Sequence, residues 1–311
     1  MQNHLVLIRC TEDNQRLRQL VDEISLITRG DSSRGINYQV FAVPDRMQTR
    51  ANDLLEDFSS WPVSVLPLTA DFLEEKNLHH YDERERTGWA CGDYVLYRAM
   101  HLQWEFAWVI EPDVFLMNGA EEVFKSYESS SAGLLATHIV EAENGWIWKK
   151  PIQKLIDDKT IFAMAFPLVR CSREVVANAL ETRQSMTAQI LAGAATPNDE
   201  SVIATVAHEM GVDVIDLKRQ RPDVFRYWST VLRFPMRDIR QRESGPLIVH
   251  SGLEHREYLG YLVDLWRRVE LGSKVGRDRL LKATNVASPE TTQTFIDIVT
   301  RDMLNRAKPN H

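Results

Sequence analysis

Short apolar runs alternate with amphipathic stretches along the first hundred residues. Leu5 to Arg9 is an apolar run of strand length, and from Asn14 to Ile27 the positions Leu17, Leu20, Val21 and Ile24 recur at helical spacing. Tyr38 to Val43 reads as a second strand stopped by Pro44-Asp45. A helix through Leu54, Leu55 and Phe58 and a third strand, Val63 to Leu66, are predicted next. Strands alternating with helices in this way imply a parallel sheet with covering helices. Gly30 to Gly35 and the polar stretch Phe72 to Arg86 read as loops. A helix over Asp93 to Gln103 leads into the apolar strand Ala107-Trp108-Val109-Ile110, which ends in Glu111-Pro112-Asp113. Further strands are predicted over Gly133–Ile139, Ile161–Val169, Val212–Leu217 and Leu247–Val249. Helices are predicted over Arg173–Leu191, Ser201–Met210, Tyr258–Leu271 and Thr291–Asn305. The fold class is α/β, a mostly parallel sheet flanked by helices, with a helical C-terminal extension.

Composition narrows the functional class. Charged residues make up 26% of the 311 residues and the net charge is −7, so bulk electrostatics do not advertise nucleic-acid binding. Lys218 to Arg242 departs from this, with eight basic residues against Asp223 and Asp238; it is either a local seat for phosphate or a solvated basic face. Cys10, Cys91 and Cys171 are far apart and form no Cys-x-x-Cys pair, which fits a reducing, cytoplasmic setting. No stretch reaches the roughly 18 apolar residues of a membrane span, and the opening Met1-Gln2-Asn3-His4 leads us to expect no signal peptide. Dinucleotide-binding, P-loop and nucleophile-elbow glycine motifs are missing, and His208-Glu209 lacks the second histidine of a zinc protease.

The chemistry concentrates where apolar strands end. Two adjacent carboxylates repel each other, so Glu111-x-Asp113 makes sense with a cation between them, although Pro112-Asp113 is also an ordinary turn. Oxygen ligands of this kind suit Mg²⁺ or Mn²⁺, and the carboxyl end of a strand is where open α/β sheets bind ligands. His250 follows Leu247-Ile248-Val249 and is a candidate third ligand, which favours Mn²⁺. Asp199 and Glu200 open a helix, either as a general base or as helix-start residues favoured by the free N–H groups. Gly92 and Asp93 stand before a helix, where backbone can approach a phosphate. Arg9, at the end of the first strand, is a further expected donor contact, and Trp146, on a loop with Trp148, either stacks on a sugar ring or is buried under the basic segment.

Trp108-Val109-Ile110-Glu111-Pro112-Asp113-Val114 resembles the Asp-x-Asp-type motif of GT-A-fold nucleotide-sugar glycosyltransferases, with Glu in the first place. The resemblance extends by layout over residues 4 to 250. Asn198-Asp199-Glu200 is similar to the later acidic motif of that class with the acids in swapped order, and Val249-His250 to its metal-shell histidine. The resemblance implies a GT-A-like domain over residues 1–255, with a nucleotide-binding half to about 117 and an acceptor half after it, followed by a helical extension over 256–311. It implies metal-dependent transfer of a sugar from a nucleotide sugar, a UDP-sugar foremost, to a hydroxyl of a saccharide-type acceptor, with Mn²⁺ or Mg²⁺ as cofactor. A polyanionic acceptor such as modified DNA bases, a non-catalytic nucleotide- or carbohydrate-binding protein, and a metal-dependent nucleotidyltransferase are the alternatives.

Overall fold

A computed structural model of the chain describes residues 2–28, 35–54, 58–79, 90–156 and 159–306. Its strands in chain order are β1 (Gln2–Cys10), β2 (Ile36–Arg46), β3 (Ser64–Val65), β4 (Leu68–Thr69), β5 (Phe106–Ile110), β6 (Val114–Met117), β7 (Leu134–Glu141), β8 (Phe162–Ser172), β9 (Val214–Asp216), β10 (Phe234–Pro235), β11 (Leu247–His250) and β12 (Gly252–Leu253). The chain divides into two compact units, Met1–Pro112 with Glu121–Pro222, and Asp113–Ala120 with Asp223–His311.

The first unit is built on an eight-stranded sheet ordered β3-β2-β1-β5-β8-β7-β9, with β4 also paired to β2. β1 runs parallel to both β2 and β5, and β7 parallel to β9, whereas β8 lies antiparallel between β5 and β7. The sheet is therefore mixed and mostly parallel, flanked by helices, which agrees with the GT-A-like layout expected. Leu5 to Ile8 and Ala107 to Ile110 are buried without a polar break, as strands covered on both faces must be. β8 shows the same continuous burial over Ala163–Cys171. An uninterrupted apolar run carries no signal of strand direction, and its antiparallel course was not foreseen for that reason.

The helices follow their caps. In Arg173–Leu191 the Ser172 hydroxyl accepts from the Val175 N–H, and Gly193, at φ +102°, follows its C-terminal end. In Asp199–Glu209 the Asn198 side chain accepts from the Ser201 N–H, while residues 201–207 are buried all round. That helix packs on β8 and on Arg173–Leu191.

Several expectations need correction. The helix expected over Asp93–Gln103 is a short α-helix, Tyr94–Arg98, that tightens into a 3₁₀ turn at Ala99–His101. Around Leu54 and Phe58 the described residues form 3₁₀ turns, Ala51–Asp53 and Phe58–Ser60, in place of a helix; Leu55 lies outside the described residues. The Gly30–Arg34 stretch and residues 80–86 of the polar segment also lie outside them.

In the second unit β11 pairs antiparallel with β6, setting His250 opposite Val114, and β10 pairs parallel with β12. Neither β6 nor the helix Lys274–Val286 was anticipated. The helices His255–Glu270, Lys274–Val286 and Pro289–Arg306 close around Tyr258, Leu262, Leu265, Ala283, Phe295 and Val299. Among the described residues no helix is long and apolar enough to cross a membrane.

Candidate active site

In the first unit the site begins with register. Ile8 of β1 is paired with Ile110 of β5, so Arg9 and Glu111, one residue further on, leave the sheet side by side. The Arg9 guanidinium donates to Glu111 Oε1 at 2.7 Å. Burial works against the Arg9 charge, but Glu111, Asp199 and Asp45 outweigh it and raise its pKa.

The start of the Asp199–Glu209 helix faces this pair. Asp199 is 3% exposed; its Oδ2 accepts from the Gly92 N–H at 3.0 Å and its Oδ1 from the Glu200 N–H at 2.8 Å. A Cβ on Gly92 would meet Asp199 Oδ2 at 2.3 Å and Arg9 at 2.9 Å, so only glycine lets the carboxylate come this close. Burial first, then the neighbouring Glu200 and Asp93, hold the Asp199 carboxyl well above the usual carboxylate range. Glu200 is half-buried. Its Oε1 accepts from the Phe166 N–H at 3.4 Å and its Oε2 from the Asn198 amide at 3.0 Å. Burial pushes its pKa up to about 7, with the Phe166 and Asn198 hydrogen bonds opposing and Glu111 adding to the rise.

Asp93, also expected near the donor, is fully buried. Its oxygens take Arg183 Nε at 2.8 Å, the Arg183 terminal nitrogen at 2.9 Å and the Tyr97 hydroxyl at 2.7 Å. Arg183 also donates to the carbonyls of Ala90 and Pro197, tying the turn before the Tyr94 helix to the segment that leads into Asp199. Sequence reasoning missed Arg183. A readable trace exists: it occupies the buried stripe Val176, Ala179, Arg183, Met186, Ile190 of a helix, and a cation there needs a partner. Trp146 is half-buried and packs against the main hydrophobic core of the unit.

In the second unit Asp113 and His250 come together because β11 pairs with β6. His250 Nε2 lies 3.6 Å from Asp113 Oδ2 and is itself buried. Ser251, at φ +63°, turns back so that its N–H donates to the Asp113 carbonyl at 3.0 Å and its hydroxyl to Asp113 Oδ2 at 3.3 Å. Arg233, unforeseen as a site residue, places a guanidinium nitrogen 3.4 Å from the same Oδ2.

Glu111 is held two residues from Asp113 by the covalent chain. Within the second unit, Asp113 and His250 each offer one ligand atom, and these atoms lie within 4.8 Å of each other. A carboxylate oxygen and an imidazole nitrogen form a donor pair that fits a divalent ion. Of the three residues expected as ligands, Asp113 and His250 meet within the second unit.

No protein-family model matches the chain, and no curated protein matches it. Among solved structures it is similar to a Bacillus anthracis protein assigned as a glucose-1-phosphate thymidylyltransferase, solved with sucrose, at TM-score 0.39 and 9% identity over 69% of this chain and 87% of that one. It is similar to mouse xyloside xylosyltransferase 1 at TM-score 0.38 and 10% identity, over 69% and 85% of the two chains. The likeness to 4-diphosphocytidyl-2C-methyl-D-erythritol synthase of Anaerococcus prevotii has a TM-score of 0.35 and 11% identity, over 70% and 88%. Likenesses at these TM-scores carry no inference about chemistry.

Proposed function

We propose that the chain is a metal-dependent glycosyltransferase that moves a sugar from a nucleotide sugar to an acceptor hydroxyl. The observation that carries the reading is the Asp113–His250 pair of the second unit, with Glu111 two residues earlier along the chain. In this reading the three residues hold a divalent ion, and the ion supplies Lewis-acid stabilisation of the nucleoside diphosphate leaving group. Arg9 fixes the orientation of Glu111 by its ion pair.

The acid pair at the helix start divides its work. Asp199 has both oxygens on backbone N–H groups and almost no exposure, so it shapes the site. Glu200 is more accessible, and a carboxyl with a pKa of about 7 changes charge at neutral pH, as a general base for an acceptor hydroxyl should. Asp93 acts through Arg183, and Trp146, half-buried against the core, would be a stacking surface for the donor sugar. The cofactor is Mn²⁺ in preference to Mg²⁺ because imidazole is a poor partner for Mg²⁺. UDP-sugars are the first donors, and a saccharide the first acceptor, to be tried. A polyanionic acceptor is disfavoured because Arg226, Arg237 and Arg240 are each already paired with a carboxylate.

The test is product analysis with a panel of nucleotide sugars, with Mn²⁺ and with chelator. Metal-dependent release of a nucleoside diphosphate supports the reading. Release of pyrophosphate instead would make the chain a nucleotidyltransferase, and nucleotide binding without any product would make it a binding protein. Glu200→Gln should lower transfer by roughly 10²–10⁴ if Glu200 takes the proton.

A further inference from the structure

The arginines between 226 and 242 in the second unit are not equivalent. Arg226 is bonded to Glu243, Arg237 reaches Glu290 at 2.8 Å, and Arg240 clasps Glu254 with two bonds of 2.8 and 2.9 Å. Arg242 donates to the Val286 carbonyl at 2.7 Å. Each of these guanidiniums has a tight partner. Arg233 is the exception: among the described residues its guanidinium makes a single contact, 3.4 Å to Asp113 Oδ2, and its side chain is 45% exposed.

Its backbone, by contrast, is firmly placed. Phe234 donates to the Ser251 carbonyl at 3.0 Å, and β10 pairs with β12 from Phe234 opposite Gly252. Gly252 admits no Cβ, because Met236 and Phe115 would lie 2.5 and 2.7 Å from it. A loosely held cation is thus anchored beside Asp113 and His250, two of the residues proposed to hold the divalent ion.

We propose that Arg233 is the resident counter-charge of the cation site. It occupies the Asp113 carboxylate until a divalent ion takes that carboxylate, and it then serves as a ligand for the phosphate groups that the ion recruits. The inference rests on the proposed metal-binding role of Asp113 and His250 and deepens it with a phosphate-binding residue. The physical basis is competition: one carboxylate oxygen has two cationic suitors, and the displaced guanidinium keeps its donors beside a site that attracts anions. Guanidinium suits phosphate through paired N–H donors, so lysine is an incomplete substitute.

Competition predicts effects of opposite sign from one substitution. In Arg233→Ala, Mn²⁺ alone should bind about 2- to 5-fold more tightly, the scale of an exposed ion pair removed. Pyrophosphate in the presence of saturating Mn²⁺ should bind about 10-fold or more weakly, the scale of a lost charge-assisted hydrogen bond. Arg233→Lys should restore only part of the pyrophosphate affinity. Manganese binding is read by electron paramagnetic resonance of free Mn²⁺ and pyrophosphate by calorimetry, on the full chain, with Asp113→Asn as the control. If wild type binds Mn²⁺, Asp113→Asn loses it and Arg233→Ala leaves both affinities unchanged, the metal site stands and the Arg233 proposal is overturned. If neither wild type nor Arg233→Ala binds Mn²⁺, the metal site itself is wrong and the proposal falls with it.

Discussion

Replacing Gly92 by alanine tests the tightest approach in the site. The new Cβ would lie 2.3 Å from Asp199 Oδ2, 2.9 Å from Arg9 and 3.1 Å from the Phe166 ring, all inside van der Waals contact. Asp199 is 3% exposed and pinned by the Glu200 N–H, so it has little space to retreat. Overpacking of this kind costs about 1–3 kcal/mol. Loss of the 3.0 Å bond from the Gly92 N–H adds about 0.5–1.5 kcal/mol. The smaller entropy of the unfolded alanine chain returns about 0.4–1 kcal/mol. Gly145→Ala is the control, because nothing lies within 4 Å of its Cβ position and only the unfolded-state term applies. Gly92→Ala should therefore be about 1.5–4.5 kcal/mol less stable than Gly145→Ala, measured from urea unfolding midpoints with the slopes compared. Equal midpoints for the two variants would refute the close packing of Gly92 on Asp199.

Three further outcomes are expected. Mn²⁺ should raise the melting temperature of the wild type and leave that of Asp113→Asn unchanged, since a ligand stabilises only through the state it binds; equal shifts in the two proteins would place the ion elsewhere. Arg183→Met should cost about 3–5 kcal/mol because it strands the buried Asp93 carboxylate, and a loss within 1 kcal/mol of zero, on the roughly ±0.5 kcal/mol scale of surface changes, would mean the pair is not buried as described. His4 is fully buried with its ring edge-on to Tyr38 and Phe106; burial, and secondarily Arg170, depress its pKa from 6.5 to about 4. The unfolded chain then binds the extra proton between those values, so this contribution is present above about pH 6.5 and is lost as pH falls through about 4. His4→Phe should flatten that part of the stability profile, and an unchanged slope would show that His4 does not carry it.

Much of this protein was legible along the chain. Glu111-Pro112-Asp113 stood out because the anomaly is local: an apolar strand that stops in two acids. The Arg173–Leu191 helix was readable to the residue because Ser172 and Gly193 mark its ends through short-range capping physics. The first three strands and the α/β class followed from periodicity for the same reason. Long-range pairing decided the rest. Asp93 and Arg183 are 90 residues apart and meet only because one helix packs beside the turn that starts another. Arg9 and Glu111, 102 residues apart, are neighbours because two parallel strands share a register. Asp113 and Arg233, separated by 120 positions, meet through the β10–β12 and β6–β11 pairings, and β6 itself was overlooked because its partner is far away in sequence. The direction of β8 is likewise a property of the assembled sheet. Local sequence fixes which groups can cap, turn or bury, because those preferences act within a few residues. Which charges face one another depends on strand order and helix packing, and no local pattern encodes either.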